Sequence, residues 1–267
     1  MEPEIKENNC LKIIISLRYS IINKDESEAC KWASRLDNRN RPDLVWQELR
    51  TLCAEYIGIG NLNLVVCIKN LYGEWESARE EKNYQTCKRA LIQAVMYACR
   101  SKLCSIVNSC IALMVHNYHG GVRDSSIQPV SDFPPECSSM LRGACPPIVK
   151  RCSALFLAAL RVKDVELSMI HGLTLYLWHR DANETPCSFD VEVVDTREIA
   201  WKIMESEIGP KGSNDTDDDS DTDSGSGDDC GVVFHCLKEE STAHGLMSYF
   251  ALAIHVACLG NVDVKAI

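Results

Sequence analysis

Cys230, His235, Cys236 and His244 put two thiols and two imidazoles in a short span, a donor set of the kind that holds structural zinc. They lack the tight CxxC knuckle, and Cys at helical spacing also packs as a small hydrophobe. His255 and Cys258 follow in HxxC order. A second group, Cys99, Cys104, Cys110, His116 and His119, has purely helical spacing and reads as packing thiols. Lys88, Arg89, Arg100 and Lys102 bracket a helix-period segment with no acid between them. Arg89 and Arg100 are eleven residues apart, about three turns, and so share a face. With Tyr97 beside them they are the candidate contact for phosphate, against the alternative of a solvated helix face.

The acidic stretch at residues 213–229, SNDTDDDSDTDSGSGDD, has eight Asp and no apolar side chain. Such a segment buries too little surface to offset its ordering entropy and is expected to be disordered. Thr216, Ser220 and Ser226 each have Asp three residues later, the pattern acidophilic kinases prefer; phosphate there would add further negative charge. Catalytic patterns are missing. There is no GxSxG, no GxxxxGK[ST], and paired carboxylates fall only in polar stretches such as Glu80–Glu81. The reading is a non-enzymatic protein.

Helix-period segments position these residues. A first helix is expected over residues 10–22, and Asp25 or Ser27 caps a second through Leu36. Pro42 suits the first turn of a third helix. On it Val45, Leu49, Leu52, Cys53 and Tyr56 form one stripe that Gly58 and Gly60 stop. A fourth helix is expected over 61–72 and a long fifth over 84–116. Residues 121–147 are Pro-rich and read as a linker. Helical pattern resumes at 148–162, 165–178 and 200–208, and a final helix spans 241–259. The alternating stretch 189–194 is a candidate strand, with 232–237 its nearest partner. The expectation is an all-α multi-helix bundle with a disordered acidic loop and at most a minor β element. The segments are 1–120 (helical domain), 121–147 (linker), 148–212 (helical extension), 213–229 (acidic) and 230–267 (C-terminal helix packing on the extension).

With 267 residues and 46% hydrophobic content the chain can bury a sizeable core. Its net charge of −10 comes mostly from the acidic stretch, since residues 1–120 carry 16 basic and 14 acidic side chains. A near-neutral first half supplies no strong field for nucleic acid. Fifteen Cys without a secretory signal at the start fit reduced thiols in the cytoplasm or nucleus. The longest apolar run, 246–259, is too short for a membrane span.

Residues 10–115 resemble the C-terminal helical domain of the replication-associated recombination protein family (RarA or MgsA in bacteria, the Werner helicase-interacting ATPase in eukaryotes). The family's Ser-Leu-Arg element is matched by Ser16-Leu17-Arg18, and its small-Trp-Ala-Leu helix by Ala29, Trp32, Ala33 and Leu36. The family's next helix, on which Leu49 lies here, ends Ser-Glu-Asp-Ile-Gly. This chain has Ala54-Glu55-Tyr56-Ile57-Gly58, keeping Glu55 and Gly58 and replacing Asp by Tyr56. The Ala-Gln-Ala-Val-Tyr helix is matched by Gln93, Ala94, Val95 and Tyr97, and the basic turn after it by Arg100-Ser101-Lys102. The family's ATP-binding core has no counterpart here. The resemblance implies a homo-oligomer, a tetramer, built through residues such as Arg18, Trp32, Leu49, Glu55, Gly58, Gln93 and Tyr97. It also implies a connection with DNA replication, recombination or repair, with single-stranded DNA or replication proteins as partners. Stand-alone copies of the domain are typical of viral and phage proteins. A host-factor-binding protein, acting through the acidic segment and a zinc-stabilised C-terminal half, is the competing expectation.

Overall fold

The computed structural model describes residues 2–117, 128–141, 145–184, 195–208 and 228–259, which form helices and no strand. The chain is all-α. It divides into two compact units, Met1–Ser109 and Cys110–Ile267.

In the first unit α1 (Glu2–Ile22) and α2 (Glu26–Asp37) pair as an antiparallel hairpin, and α3 (Pro42–Leu52) packs on both. A π-helical turn, Cys53–Ile57, and a 3-10 turn, Gly58–Gly60, lead into the hairpin of α4 (Asn63–Glu80) and α5 (Tyr84–Arg100). α5 also lies against α2, and this sandwich makes the core. Leu17, Ile21, Ala33, Leu36, Leu49 and Ala94 are all fully buried. The small residues Ala90, Ala94 and Ala98 on one face of α5 let its neighbours approach closely. Trp46 closes one end, edge-on to Tyr72 at 5.4 Å and tilted against Trp75 at 6.0 Å.

α6 (Ile106–Asn117) carries the chain across the division. The second unit adds α7 (Pro135–Met140), the hairpin of α8 (Pro147–Arg161) and α9 (Val165–Glu184), then α10 (Thr196–Ile208), α11 (Asp228–His244) and α12 (Met247–Leu259). α12 packs against α8, α9, α10 and α11 and is buried almost all round, from Ser248 to Cys258. That explains the longest apolar run, because a helix apolar on every side belongs in a core. None of the described helices is long and apolar enough to cross a membrane. Trp201 lies edge-on to Phe250 at 5.1 Å and to Phe234 at 5.6 Å.

Four helix–helix corners share one construction. Lys24, Asn40, Lys82 and Lys163 have φ between 57° and 59°. In each corner that residue's N–H reaches the carbonyl three residues back, and the next N–H reaches the carbonyl five back. Examples are Lys24 to Ile21 (3.0 Å) with Asp25 to Ser20 (2.9 Å), and Lys163 to Leu160 (3.0 Å) with Asp164 to Ala159 (3.0 Å). This is the Schellman pattern, which satisfies carbonyls orphaned at a helix end. At three corners the following Asp or Asn then caps the next helix. Asp25 accepts from the Glu28 N–H at 3.0 Å, Asn83 from Thr86 at 3.2 Å and Asp164 from Leu167 at 3.0 Å.

Several expectations change. The long fifth helix is two, α5 and α6, because Ser101 turns extended and Cys104 donates its N–H to the Tyr56 carbonyl at 2.7 Å. The fourth helix runs on to Glu80. Residues 232–237 are helical rather than a strand, for Val233, Phe234, Cys236 and Leu237 are buried while Val232 and His235 are exposed, a three-to-four spacing. The final helix is two, α11 and α12, separated at Gly245 (φ 65°). The linker contains α7. The candidate strand 189–194 and residues 213–227 of the acidic stretch lie outside the described residues, and Asp228 and Asp229 open α11.

Candidate functional site

Arg18 projects from α1 onto α3, where its guanidinium takes both oxygens of Glu48, Nε to Oε1 at 2.5 Å and Nη2 to Oε2 at 2.9 Å. Glu48 is buried at 5% exposure while Arg18 is half-exposed. A bidentate pair of this kind fixes orientation as well as charge. It holds the Arg18 pKa above its ordinary value. Glu55, on the π-helical turn, also acts on this charge: burial raises its carboxyl pKa, Arg18 pulls it down and Glu48 pushes it up. Arg18 and Glu55 thus belong to one electrostatic group, with Glu48 its missed third member. A π turn inside a helix often marks a functional site, since it re-aims side chains.

Gly58 closes that turn at φ 50°, where an L side chain is strained. Two residues on, a Cβ at Gly60 would clash with the Lys102 carbonyl. The segment after α5 is therefore clamped against the turn, and Asn61 adds a hydrogen bond to the Ser101 hydroxyl at 2.8 Å. Leu49 is fully buried beside Glu48. Gln93 and Tyr97 sit on α5, Gln93 Nε2 donating to Tyr97 Oη at 2.8 Å.

The expected phosphate contacts are differently engaged. Arg89 pairs with Glu74 of α4. Arg100 pairs with Glu26 at the start of α2 through two 2.9 Å bonds, which also holds the Glu26 carboxyl below its ordinary pKa. Lys88 and Lys102 are exposed. Lys88, Arg89 and Gln93 line a shallow trough on α5 whose floor is Ile92 and Met96.

Trp32 belongs to another place. It lies in an open cleft of about 390 Å3 between α1 and α2, with the Arg35 guanidinium 4.3 Å from its ring centroid. Lys12 and Ser16 of α1 and Arg39 after α2 complete the walls, and Ile13 is the floor. Lys12, Arg35 and Arg39 were not among the expected contacts. Their signal was the i to i+4 spacing of Arg35 and Arg39 one turn from Trp32, but Lys12 joins them only through the α1–α2 hairpin.

Cys230, His235, Cys236 and His244 all lie on α11 and are not brought together. The two thiols are buried, His235 and His244 are exposed, and His244 approaches Glu240 at 3.5 Å. Among the described residues no three His, Cys, Asp or Glu side chains are grouped as a metal site would need. The fourteen described cysteines are free thiols. Burial pushes the thiol pKa values of Cys99 and Cys152 up to about 12, so these two are inert packing groups. His119, Thr216, Ser220 and Ser226 lie outside the described residues, as does the side chain of His116. No family model matches the chain, and neither a curated protein nor a solved structure matches it.

Proposed function

We propose that this chain is a non-enzymatic, self-associating helical module, of viral origin, that acts in DNA replication, recombination or repair. The observation that carries self-association is on α1. Leu11, Ile15 and Tyr19 recur every four residues and are 55%, 58% and 71% exposed, so among the described residues one apolar stripe of α1, opposite its buried Ile13, Leu17 and Ile21, has no cover within its unit. A second copy is the occupant this reading assigns. Arg18 stands beside the stripe and its pair with Glu48 fixes the helix on α3, so the face is presented rigidly. The resemblance of residues 10–115 to a tetramerising domain supports the same reading and supplies the link to DNA.

Ile15→Asp and Tyr19→Asp place charge in the stripe without touching the buried side of α1. Sedimentation velocity is expected to give the wild type a mass above 29.9 kDa and both variants the monomer mass. Equal masses for wild type and variants would remove the stripe from the account.

A further inference from the structure

We propose that the cleft between α1 and α2 binds single-stranded nucleic acid, seating a phosphate on Lys12 and Arg39 and a base against the Arg35–Trp32 pair. The inference rests on the proposed link to DNA only for its ligand class, and it does not require self-association.

The cleft's chemistry is lopsided in sign. Lys12, Arg35 and Arg39 supply three cations, Ser16 and Asn38 supply neutral donors, and among the described residues no carboxylate lines it. Five other cations of this unit are taken up by acids: Arg18 by Glu48, Lys31 by Glu28, Arg41 by Asp43, Arg89 by Glu74 and Arg100 by Glu26. Among the described residues no ion pair engages Lys12, Arg35 or Arg39. The acid nearest in sequence, Asp37, is half-buried and has its opposite charge in Lys88 on α5. A near-neutral unit thus keeps three unpaired cations on one concave surface, which is where an anion gains most from them.

The second feature is aromatic. The Arg35 guanidinium lies over the Trp32 indole at 4.3 Å. Guanidinium planes and indole rings both stack on bases, and single strands expose the faces that this needs. A volume of about 390 Å3 suits a nucleotide-sized group, whereas a duplex keeps its base faces stacked on one another. The buried Ile13 floor (6% exposed) gives the ring edge an apolar seat. A phosphopeptide would use the cations but leave the Arg35–Trp32 pair unused.

The test is fluorescence anisotropy of the full chain with a labelled oligothymidylate, over a range of salt. An abasic oligomer of equal length is run beside it. Arg39→Glu and Lys12→Glu lie on exposed positions, and circular dichroism checks their fold. Each is expected to weaken binding about tenfold or more and to lower the slope of log affinity against log salt by about 1. The abasic oligomer and Trp32→Ala are each expected to bind about tenfold more weakly than their parents. Unchanged affinity in both charge-reversal variants overturns the site. Equal binding of abasic and intact strands overturns the base contact, and so does preferential binding of a phosphorylated peptide of residues 213–229. Ile15→Asp, read by mass and anisotropy together, separates the two ideas: a monomer that still binds keeps the cleft, and loss of binding in a correctly folded monomer overturns its independence.

Discussion

Removing the Arg18 guanidinium would leave the Glu48 carboxylate buried and short of its two strongest hydrogen bonds. Arg18→Ala is therefore expected to cost about 2 kcal/mol, below the full penalty for a buried pair because Arg18 itself is half in water. Replacing both partners together, Arg18→Met with Glu48→Leu, should recover most of that loss in a denaturant melt. If the double variant is as weak as Arg18→Ala, the pair is not what links α1 to α3. His171 gives a second prediction. It is 1% exposed with neither ring nitrogen hydrogen-bonded, and burial lowers its pKa to about 4. The unfolded chain takes up this proton near the ordinary 6.5, so its contribution is fully present above that pH. It is lost as pH falls from about 6.5 to about 4, by about 3 kcal/mol in all. His171→Leu should flatten stability against pH across that window, and an unchanged slope would contradict the assignment. Arg18 and Glu55 were picked out in the sequence by the resemblance. Glu48 was not, because its meaning lies in burial beside Arg18, thirty positions away.

At the scale of elements, the corners repay a test. Lys82 occupies the left-handed region at φ 59°, where a Cβ costs roughly 1 kcal/mol relative to glycine. Lys82→Gly is expected to stabilise the first unit by about 0.5–1 kcal/mol, visible as a higher melting temperature. Destabilisation would mean that the lysine side chain contributes more than the backbone strain. The sequence carried signs of these corners in Lys24-Asp25, Lys82-Asn83 and Lys163-Asp164. Of these only the first is expected from the sequence, through the Asp25 cap. Helix cores were legible from their three-to-four spacing, and so were several ends, among them Ile22, Pro42, Tyr84, Ile208 and Leu259; the breaks inside the fifth and final helices were not. The break after α5 depends on Gly60 giving the Lys102 carbonyl room and on the Tyr56 carbonyl capturing Cys104, both non-local contacts. The 232–237 stretch looked alternating in a short window, and only the neighbouring turns of α11 show which of its residues face inward.

For the whole molecule, the all-α class followed from composition and period, since nearly every apolar run has helical spacing. The division at Ser109/Cys110 had no compositional signal of its own, as the Pro-rich stretch begins later. The candidate surfaces were legible only in part: Trp32 stood out, but the cleft that gives it three cations is assembled by a hairpin. Self-association is the central claim, and the native mass of the full chain tests it most directly. Light scattering after gel filtration, at low and at high salt, is expected to give about four times 29.9 kDa in both, because an apolar stripe is not weakened by screening. A mass of 29.9 kDa in both would contradict the account.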